Sequence, residues 1–240
     1  MELVRRFHPL RIASLAAAVA LLVVVSTAGA FDLRAPQVGF CTGSLQSYLT
    51  GVGENINVAT AQVNAQVWTS TVSGNSEFTL MVELAGNAKQ NAIGVYNIDD
   101  PIPVLFQIFP GAATDGWNAS VHFLADGTLK VYLYDENSDP YGGVVVYHGV
   151  NRNKFGFYLQ GPGGTFYSQD SRNIGGNAQI LTYAGTGINS GNWWQCFEDL
   201  NYQYPDCLTD FEDAVLFVES VNPVPAHGTT WGALKALYGR

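Results

Sequence analysis

The chain has 240 residues, of which 47% are hydrophobic, 12% aromatic and only 13% charged, and its formal net charge is −9. A disordered acidic tail would be poorer in aromatic residues and a coiled coil would be richer in charge, so both classes are excluded. A nucleic-acid-binding domain is also not expected, because 20 Asp and Glu residues against 11 Lys and Arg residues give a field that repels phosphate and attracts cations.

The N-terminus has the pattern of an export signal. Three arginines within the first eleven residues precede an apolar run over residues 12–25, and small residues follow it up to Ala30. The run is shorter than the roughly 20 residues of a spanning helix, which favours a cleaved signal peptide over residues 1–30 rather than a permanent anchor. We therefore expect an extracytoplasmic protein, secreted or at the cell surface, with no membrane span in the mature chain.

Residues 31–222 have the pattern of a single all-β domain. Over residues 61–72, Val63, Ala65 and Val67 alternate with polar residues, which is the period of a half-buried strand. Asp126-Gly127 separates two apolar runs and predicts a tight hairpin. Many short strands with turn residues between them indicate an antiparallel β-sandwich or jelly roll. Further strand-like runs cover residues 77–84, 92–98, 104–109, 119–124, 128–134, 144–147 and 154–159.

The C-terminal residues 223–240 predict a linker followed by a short helical tail, with the helix over residues 230–238. It is the only helix expected after the signal. It is either packed on the sandwich or a sorting or docking tail that presents Trp231, Lys235 and Tyr238.

Three cysteines remain to be assigned. In an oxidising compartment Cys196 and Cys207 are the favoured disulfide pair, because they enclose a short loop in the most acidic part of the chain. Cys41 is then either free or paired in place of one of them.

No catalytic motif is present. The histidines lack a zinc-binding spacing, and a Gly-x-Ser-x-Gly elbow, a Walker loop and a Rossmann fingerprint are all missing. A carboxylate pair for glycoside hydrolysis depends on the fold and has no local signature. We predict a protein that is not an enzyme.

An acidic segment follows a Trp-Trp pair near the end of the domain. Six carboxylates within sixteen residues repel one another unless a cation or water separates them, and hard oxygen ligands suit Ca²⁺. The alternative is a solvated acidic loop. The six are Glu198, Asp199, Asp206, Asp210, Glu212 and Asp213.

Several motifs in order resemble the DUF4114 domain of secreted and surface-anchored bacterial proteins, over roughly residues 78–221. They are Ile93-Gly94-Val95-Tyr96-Asn97, residues 153–159, residues 164–168 with Asn173, residues 180–183, Phe197-Glu198-Asp199-Leu200 and residues 210–215. The resemblance implies an extracellular β-sandwich with a calcium site and no established catalytic activity. It favours Glu198, Asp199, Asp210 and Asp213 as ligands, with Asp206 and Glu212 as second choices. Glu212 replaces the family's usual Asn, and the cysteine pair is an addition to the pattern.

A weaker calcium candidate is the loop that holds Asp135, Asn137 and Asp139, whose alternating oxygens resemble the first ligands of a calcium loop. Pro140 stands where the turn requires Gly, and Val146 fills the position of the closing Glu. A polar hairpin loop is the favoured interpretation.

The aromatic residues suggest a sugar platform, with Trp117 as its most exposed member because Gly116 and Asn118 flank it. Core packing is the alternative. Taken together, the sequence predicts a non-enzymatic surface module that binds Ca²⁺, has a structural or adhesive role and meets an extracellular protein or glycan. The alternatives are a carbohydrate-binding or glycoside-active protein, or a subunit of an extracellular assembly.

Overall fold

The computed structural model describes residues 33–34, 43–82, 88–201 and 210–224. Two antiparallel sheets form the fold, which confirms the predicted all-β sandwich. The strands are β1 (Trp68–Ser70), β2 (Asn75–Val82), β3 (Ala92–Asn97), β4 (Leu105–Phe109), β5 (Asn118–Phe123), β6 (Leu129–Tyr134), β7 (Val145–Tyr147), β8 (Phe155–Gly161), β9 (Gly164–Tyr167), β10 (Ile180–Ala184), β11 (Trp193–Phe197), β12 (Ala214–Val218) and β13 (Val221–Pro223).

The two sheets differ in the number and the order of their strands. One has the strand order β10-β11-β12-β2-β5-β6-β7, and the other has the order β13-β1-β8-β3-β4 with β9 paired to β8. The chain therefore crosses between sheets several times, as expected of a sandwich. Short 3-10 helices at Ala88–Gln90, Asp170–Arg172, Ile174–Gly176 and Gly187–Asn189 lie in the connections.

The hairpin predicted at Asp126-Gly127 is confirmed. It joins β5 to β6, which pair in register from Asn118↔Tyr134 to Phe123↔Leu129. Gly127 has a φ of 82°, a value that glycine adopts without steric cost. The Asp126 carboxylate accepts a hydrogen bond from the Thr128 backbone N–H at 2.9 Å, which closes the turn.

The strand predicted over residues 61–72 is largely wrong. Only Trp68–Ser70 forms a strand, while Val63 makes isolated bridges to Leu33 and Thr182. Val63 and Trp68 both lie in the core between the sheets, although one position is odd and the other even. The backbone changes phase between them, and the continuous alternation of the sequence hides that change.

Helix α1 (Gly43–Gly51) was not predicted. Leu45 and Leu49 lie four residues apart on one face of the helix, and both are fully buried. They pack against Trp194 and Cys196 in a second core on the outer face of the seven-stranded sheet. Glycines at both ends and the absence of charged residues in the segment conceal the helix in the sequence. The predicted signal peptide and C-terminal tail, with Trp231, Lys235 and Tyr238, lie outside the described residues.

Strand β11 joins the two cores. Trp193 and Phe197 point between the sheets, where Trp193 meets the ring of Trp68 edge-on at 5.6 Å. Trp194 and Cys196 point to the opposite face, beneath α1. This alternation explains why every side chain of β11 is buried. Of the helices in the described ranges, none is long and apolar enough to cross a membrane.

Cys196 is not in a disulfide in the structure, in contrast to the predicted pairing with Cys207. The structure has this residue as a free thiol with no solvent exposure, facing the second core rather than the acidic loop. Burial raises the pKa of the thiol strongly, so it stays protonated and unreactive. Cys207 and Cys41 lie outside the described residues.

Candidate metal site

The acidic residues meet at one end of the seven-stranded sheet because of the pairing of β11 with β12. Phe197, the last residue of β11, lies opposite Ala214, the first residue of β12. Glu198 therefore leaves one strand beside the place where Asp213 enters the other. The backbone N–H of Asp199 donates to an Asp213 carboxylate oxygen at 2.7 Å, which ties the two ends together.

Three carboxylates form a group that could hold a metal ion. One oxygen of each of Glu198, Asp210 and Asp213 lies within 4.8 Å of the others. Ca²⁺ binds carboxylate oxygens at about 2.3–2.6 Å, so a single ion between the three is sterically reasonable. The donor set is made of hard oxygens, which suit Ca²⁺, Mg²⁺ or Mn²⁺ and exclude a thiolate-type zinc centre.

Glu198 is the most unusual member of the group. Its side chain has no solvent exposure. One carboxylate oxygen accepts a hydrogen bond from the Leu200 backbone N–H at 3.1 Å. The other has no donor among the described residues unless a proton is shared with the Asp213 carboxyl. A buried carboxylate oxygen without a partner costs free energy, and a bound cation would supply the missing interaction.

The loop that presents Asp210 is held by a strained residue. Phe211 has a φ of 57°, a left-handed conformation that costs a non-glycine residue roughly 1–2 kcal/mol. Its ring is buried in the second core, and this burial anchors the turn. The turn sets Asp210 on one side of Phe211 and Asp213 on the other side, both partly buried. A strained backbone of this kind persists only where the packing around it enforces the conformation, and such residues often lie at functional sites.

The electrostatics of the site disfavour ionisation. Burial, followed by the charge of Asp213, raises the pKa of the Glu198 carboxyl far above its ordinary value. Burial also raises the pKa of Asp213 and of Asp210. The ion pairs of the described residues join Arg34 to Asp170 and Lys154 to Asp99, so neither neutralises this group.

These shifts predict the pH dependence of stability without metal. A carboxyl with a raised pKa binds more protons in the folded state than in the unfolded state, so the free energy of unfolding falls as pH rises. For Glu198 the loss begins near the ordinary value of 4.5 and continues toward its raised pKa. Thermal unfolding in EDTA should therefore give a higher melting temperature at pH 5 than at pH 8. A melting temperature that rises over this range would contradict the assignment.

Two of the acidic residues chosen from the sequence make contacts outside the group of three carboxylates. One oxygen of the Asp199 carboxylate accepts a hydrogen bond from Asn91 at 2.8 Å, and Asp199 is not one of the three clustered carboxylates, so its role as a ligand stays a prediction. Glu212 interacts with Ser44 and the Leu45 backbone at the start of α1. Asp206 lies outside the described residues.

The weaker candidate loop is a self-contained turn. One oxygen of Asp135 accepts hydrogen bonds from the backbone N–H groups of Asn137 and Asp139, both at 2.9 Å. Asn137 and Asp139 are exposed. These contacts agree with the favoured interpretation of a polar hairpin loop. Among the described residues, the group of side chains that could hold a metal ion does not include any residue of this loop.

Trp117 is not a sugar platform, which corrects the prediction based on its flanking residues. Its side chain is only 6% exposed and belongs to the core between the sheets. The indole N–H donates to Glu136 at 2.8 Å, and the ring packs against Tyr141 with centroids 4.5 Å apart. Residue Gly116 does lie in a turn with a φ of 86°, but β5 begins directly after Trp117 and turns the indole inward.

Comparison with known proteins adds no family. The chain matches no protein-family model and no curated protein by sequence. Among solved structures it is weakly similar to an alginate lyase from Pseudomonas aeruginosa, with 9% identity and a TM-score of 0.14 over 69% of this chain. The chain spans 58% of the length of that enzyme. The resemblance to DUF4114 domains stays a prediction from sequence.

Proposed function

We propose that this protein is a non-enzymatic β-sandwich module of the cell exterior that is stabilised by one Ca²⁺ ion held between Glu198, Asp210 and Asp213. The observation that supports the ion is the grouping of three carboxylates within 4.8 Å around a fully buried Glu198 side chain. The export pattern of residues 1–30 and the DUF4114-like motifs support the extracellular role. Calcium is the abundant divalent cation that oxygen-only sites bind outside cells.

The role of the ion in this proposal is structural. It would join the end of β11 to the start of β12 and so close the connection between two neighbouring strands. Glu198 and Asp213 flank that connection, and Asp210 comes from the loop itself. Cation binding would replace proton uptake as the way to relieve repulsion between the carboxylates. The stabilised end of the sandwich would then serve as an adhesive or structural surface.

Thermal unfolding in EDTA and in excess Ca²⁺ tests the proposal. If the ion binds only the native state, a roughly hundredfold excess over Kd stabilises the protein by about 2.7 kcal/mol. For a chain of this size the melting temperature should rise by about 5–10 °C. Asp210→Asn should remove most of this rise, because it replaces a charged ligand with a neutral one.

The matched control is Asp139→Asn, which makes the same chemical change in the other acidic loop, where Asp139 is exposed. It should leave the calcium response intact. An equal rise in melting temperature for wild type and Asp210→Asn would show that calcium binds at another place. No rise in the wild-type protein would show that these carboxyls bind protons rather than calcium in the folded state.

A further inference from the structure

The outer face of the seven-stranded sheet is covered unevenly. Helix α1 and the second core cover the side formed by β10, β11 and β12. On β6, Leu129 and Val131 point into the core between the sheets, so Tyr132 and Tyr134 point to the outer face. Both tyrosines are only partly buried. This part of the face, away from the metal site, presents aromatic rings to the solvent.

A pocket of about 270 Å³ opens beside these rings. Tyr132 and Tyr134 line one side, and the segment from Pro140 to Val144, including Tyr141, lines the other. A β-carbon added at Gly142 or Gly143 would meet nothing within 4 Å. Open space therefore surrounds this part of the pocket wall. The volume lies just below the roughly 300–1,000 Å³ of pockets for drug-sized ligands, which suits a single sugar ring.

The pocket walls are held in place by the backbone. The loop after β6 returns through an isolated bridge between Tyr134 and Pro140, and the Tyr141 N–H donates to the Leu133 carbonyl oxygen at 2.8 Å. Trp117 supports the Tyr141 ring from the core side. On the sheet, the imidazole of His122 packs against Tyr132 with centroids 5.1 Å apart. A pocket with ordered walls loses little conformational entropy when a ligand binds.

The lining of the pocket is mostly apolar and favours a neutral ligand with an apolar face, while tyrosine hydroxyls near it could bond to polar groups at the rim of that ligand. The hydroxyls of Tyr132, Tyr134 and Tyr141 have no hydrogen-bond partner among the described residues, unlike Tyr147, whose hydroxyl donates to Gln107 at 3.0 Å. The residues that line the pocket include no charged side chain, so nothing there would pair with a uronate, sulfate or phosphate group. A pyranose ring offers C–H faces to stack on aromatic rings and hydroxyls to bond to phenols.

We propose that this pocket binds one pyranose ring of a neutral oligosaccharide, with Tyr132 and Tyr141 as stacking residues. The site is independent of the calcium proposal, because it lies on β6 and its following loop rather than between β11 and β12. Trp117, which the sequence suggested as the platform, acts here only by supporting Tyr141.

Isothermal titration of the purified protein with four neutral hexasaccharides tests the proposal: β-1,4-linked glucose, β-1,4-linked mannose, β-1,4-linked xylose and β-1,3-linked glucose. At least one should bind with a Kd of about 1 mM or tighter. Tyr132→Ala and Tyr141→Ala should each weaken that binding roughly tenfold or more, as loss of an aromatic anchor does. Ile188→Ala, a change at a fully exposed residue of another turn, should leave it unchanged.

Three results would overturn the proposal. One is the absence of binding to all four sugars, and another is binding that neither tyrosine substitution weakens. The third is selective binding of a mannuronate hexasaccharide or of a Pro-rich peptide in place of the neutral sugars. Circular dichroism of each variant separates lost binding from lost folding. Titration in EDTA should give the same sugar affinity, so that failure of the calcium site does not affect this test.

Discussion

Glu198→Gln is expected to stabilise the metal-free protein and at the same time to abolish its response to calcium. In the folded state Glu198 has no solvent exposure and lies beside two other carboxylates, so ionisation is costly and its pKa is raised. The folded protein must take up a proton at pH 8 or bear a buried charge, and glutamine requires neither. In EDTA at pH 8 the melting temperature should rise by about 3 °C or more, which corresponds to at least roughly 1 kcal/mol.

Glu198→Gln is informative because it should raise the melting temperature without metal and reduce the further rise that calcium causes. An amide oxygen is neutral, so the glutamine side chain would be a poor substitute for the charged ligand that Ca²⁺ prefers. The rise in melting temperature on adding calcium should fall from about 5–10 °C to about 2 °C or less. A variant that loses stability in EDTA and keeps its full calcium response would show that Glu198 is a structural acid with its own satisfied contacts. Glu77→Gln, which makes the same chemical change at an exposed residue of β2, serves as the control for a general charge effect.

Glu54→Ala should cause a large loss of stability that calcium does not restore. The Glu54 carboxylate is 4% exposed and accepts hydrogen bonds from the Trp194 indole N–H at 2.8 Å, the Asn189 amide at 2.8 Å and the Thr186 backbone N–H at 2.6 Å. The Thr186 hydroxyl is a further donor. This one side chain ties the segment after α1 to the turn between β10 and β11. Alanine would leave the buried Trp194 indole N–H and the partly buried donors of Thr186 and Asn189 unpaired. An unpaired buried donor costs about 1–3 kcal/mol, and a partly buried donor costs less because water can reach it.

We expect a loss of about 3–5 kcal/mol, comparable to breaking a buried polar network, and a fall in melting temperature of about 10 °C. Burial acts to raise the pKa of Glu54, but hydrogen bonds from Thr186, Asn189 and Trp194 outweigh it and lower the pKa. The stabilisation by this carboxylate is therefore present above the unfolded pKa and is lost as pH falls through the folded pKa. Calorimetry at neutral pH measures the loss. Glu54→Gln, which keeps the volume and one acceptor, should lose less. Equal melting of Glu54→Ala and wild type would contradict the argument.

The sequence predicted the sandwich well because most strands carry their own signals. The hairpin at Asp126-Gly127 and the apolar runs of β2 to β8 depend on local turn chemistry and on alternation, which act over a few residues. The misjudged elements lack such signals. Helix α1 is stabilised by burial against Trp194 and Cys196, and neither contact can be anticipated from the segment itself.

The metal site was predicted in part for a similar reason. The resemblance to DUF4114 domains favoured Glu198, Asp199, Asp210 and Asp213, and three of these lie in the group of carboxylates that could hold a metal ion. The pairing of β11 with β12 brings Glu198 and Asp213 together. Asp199 lies next to Glu198, but its carboxylate accepts a hydrogen bond from Asn91, which is more than a hundred residues away in the chain. Trp117 was misassigned because its partner Glu136 lies beyond the following hairpin. Long-range partners of this kind have no local pattern.

If one calcium ion lies between Glu198, Asp210 and Asp213, X-ray diffraction can locate it. The measurement is anomalous diffraction at long wavelength from crystals grown in millimolar CaCl₂. We expect one strong anomalous peak at about 2.3–2.6 Å from oxygens of all three carboxylates. Crystals in which these carboxylates bond only to one another, with no anomalous peak between them despite the calcium present, would contradict it.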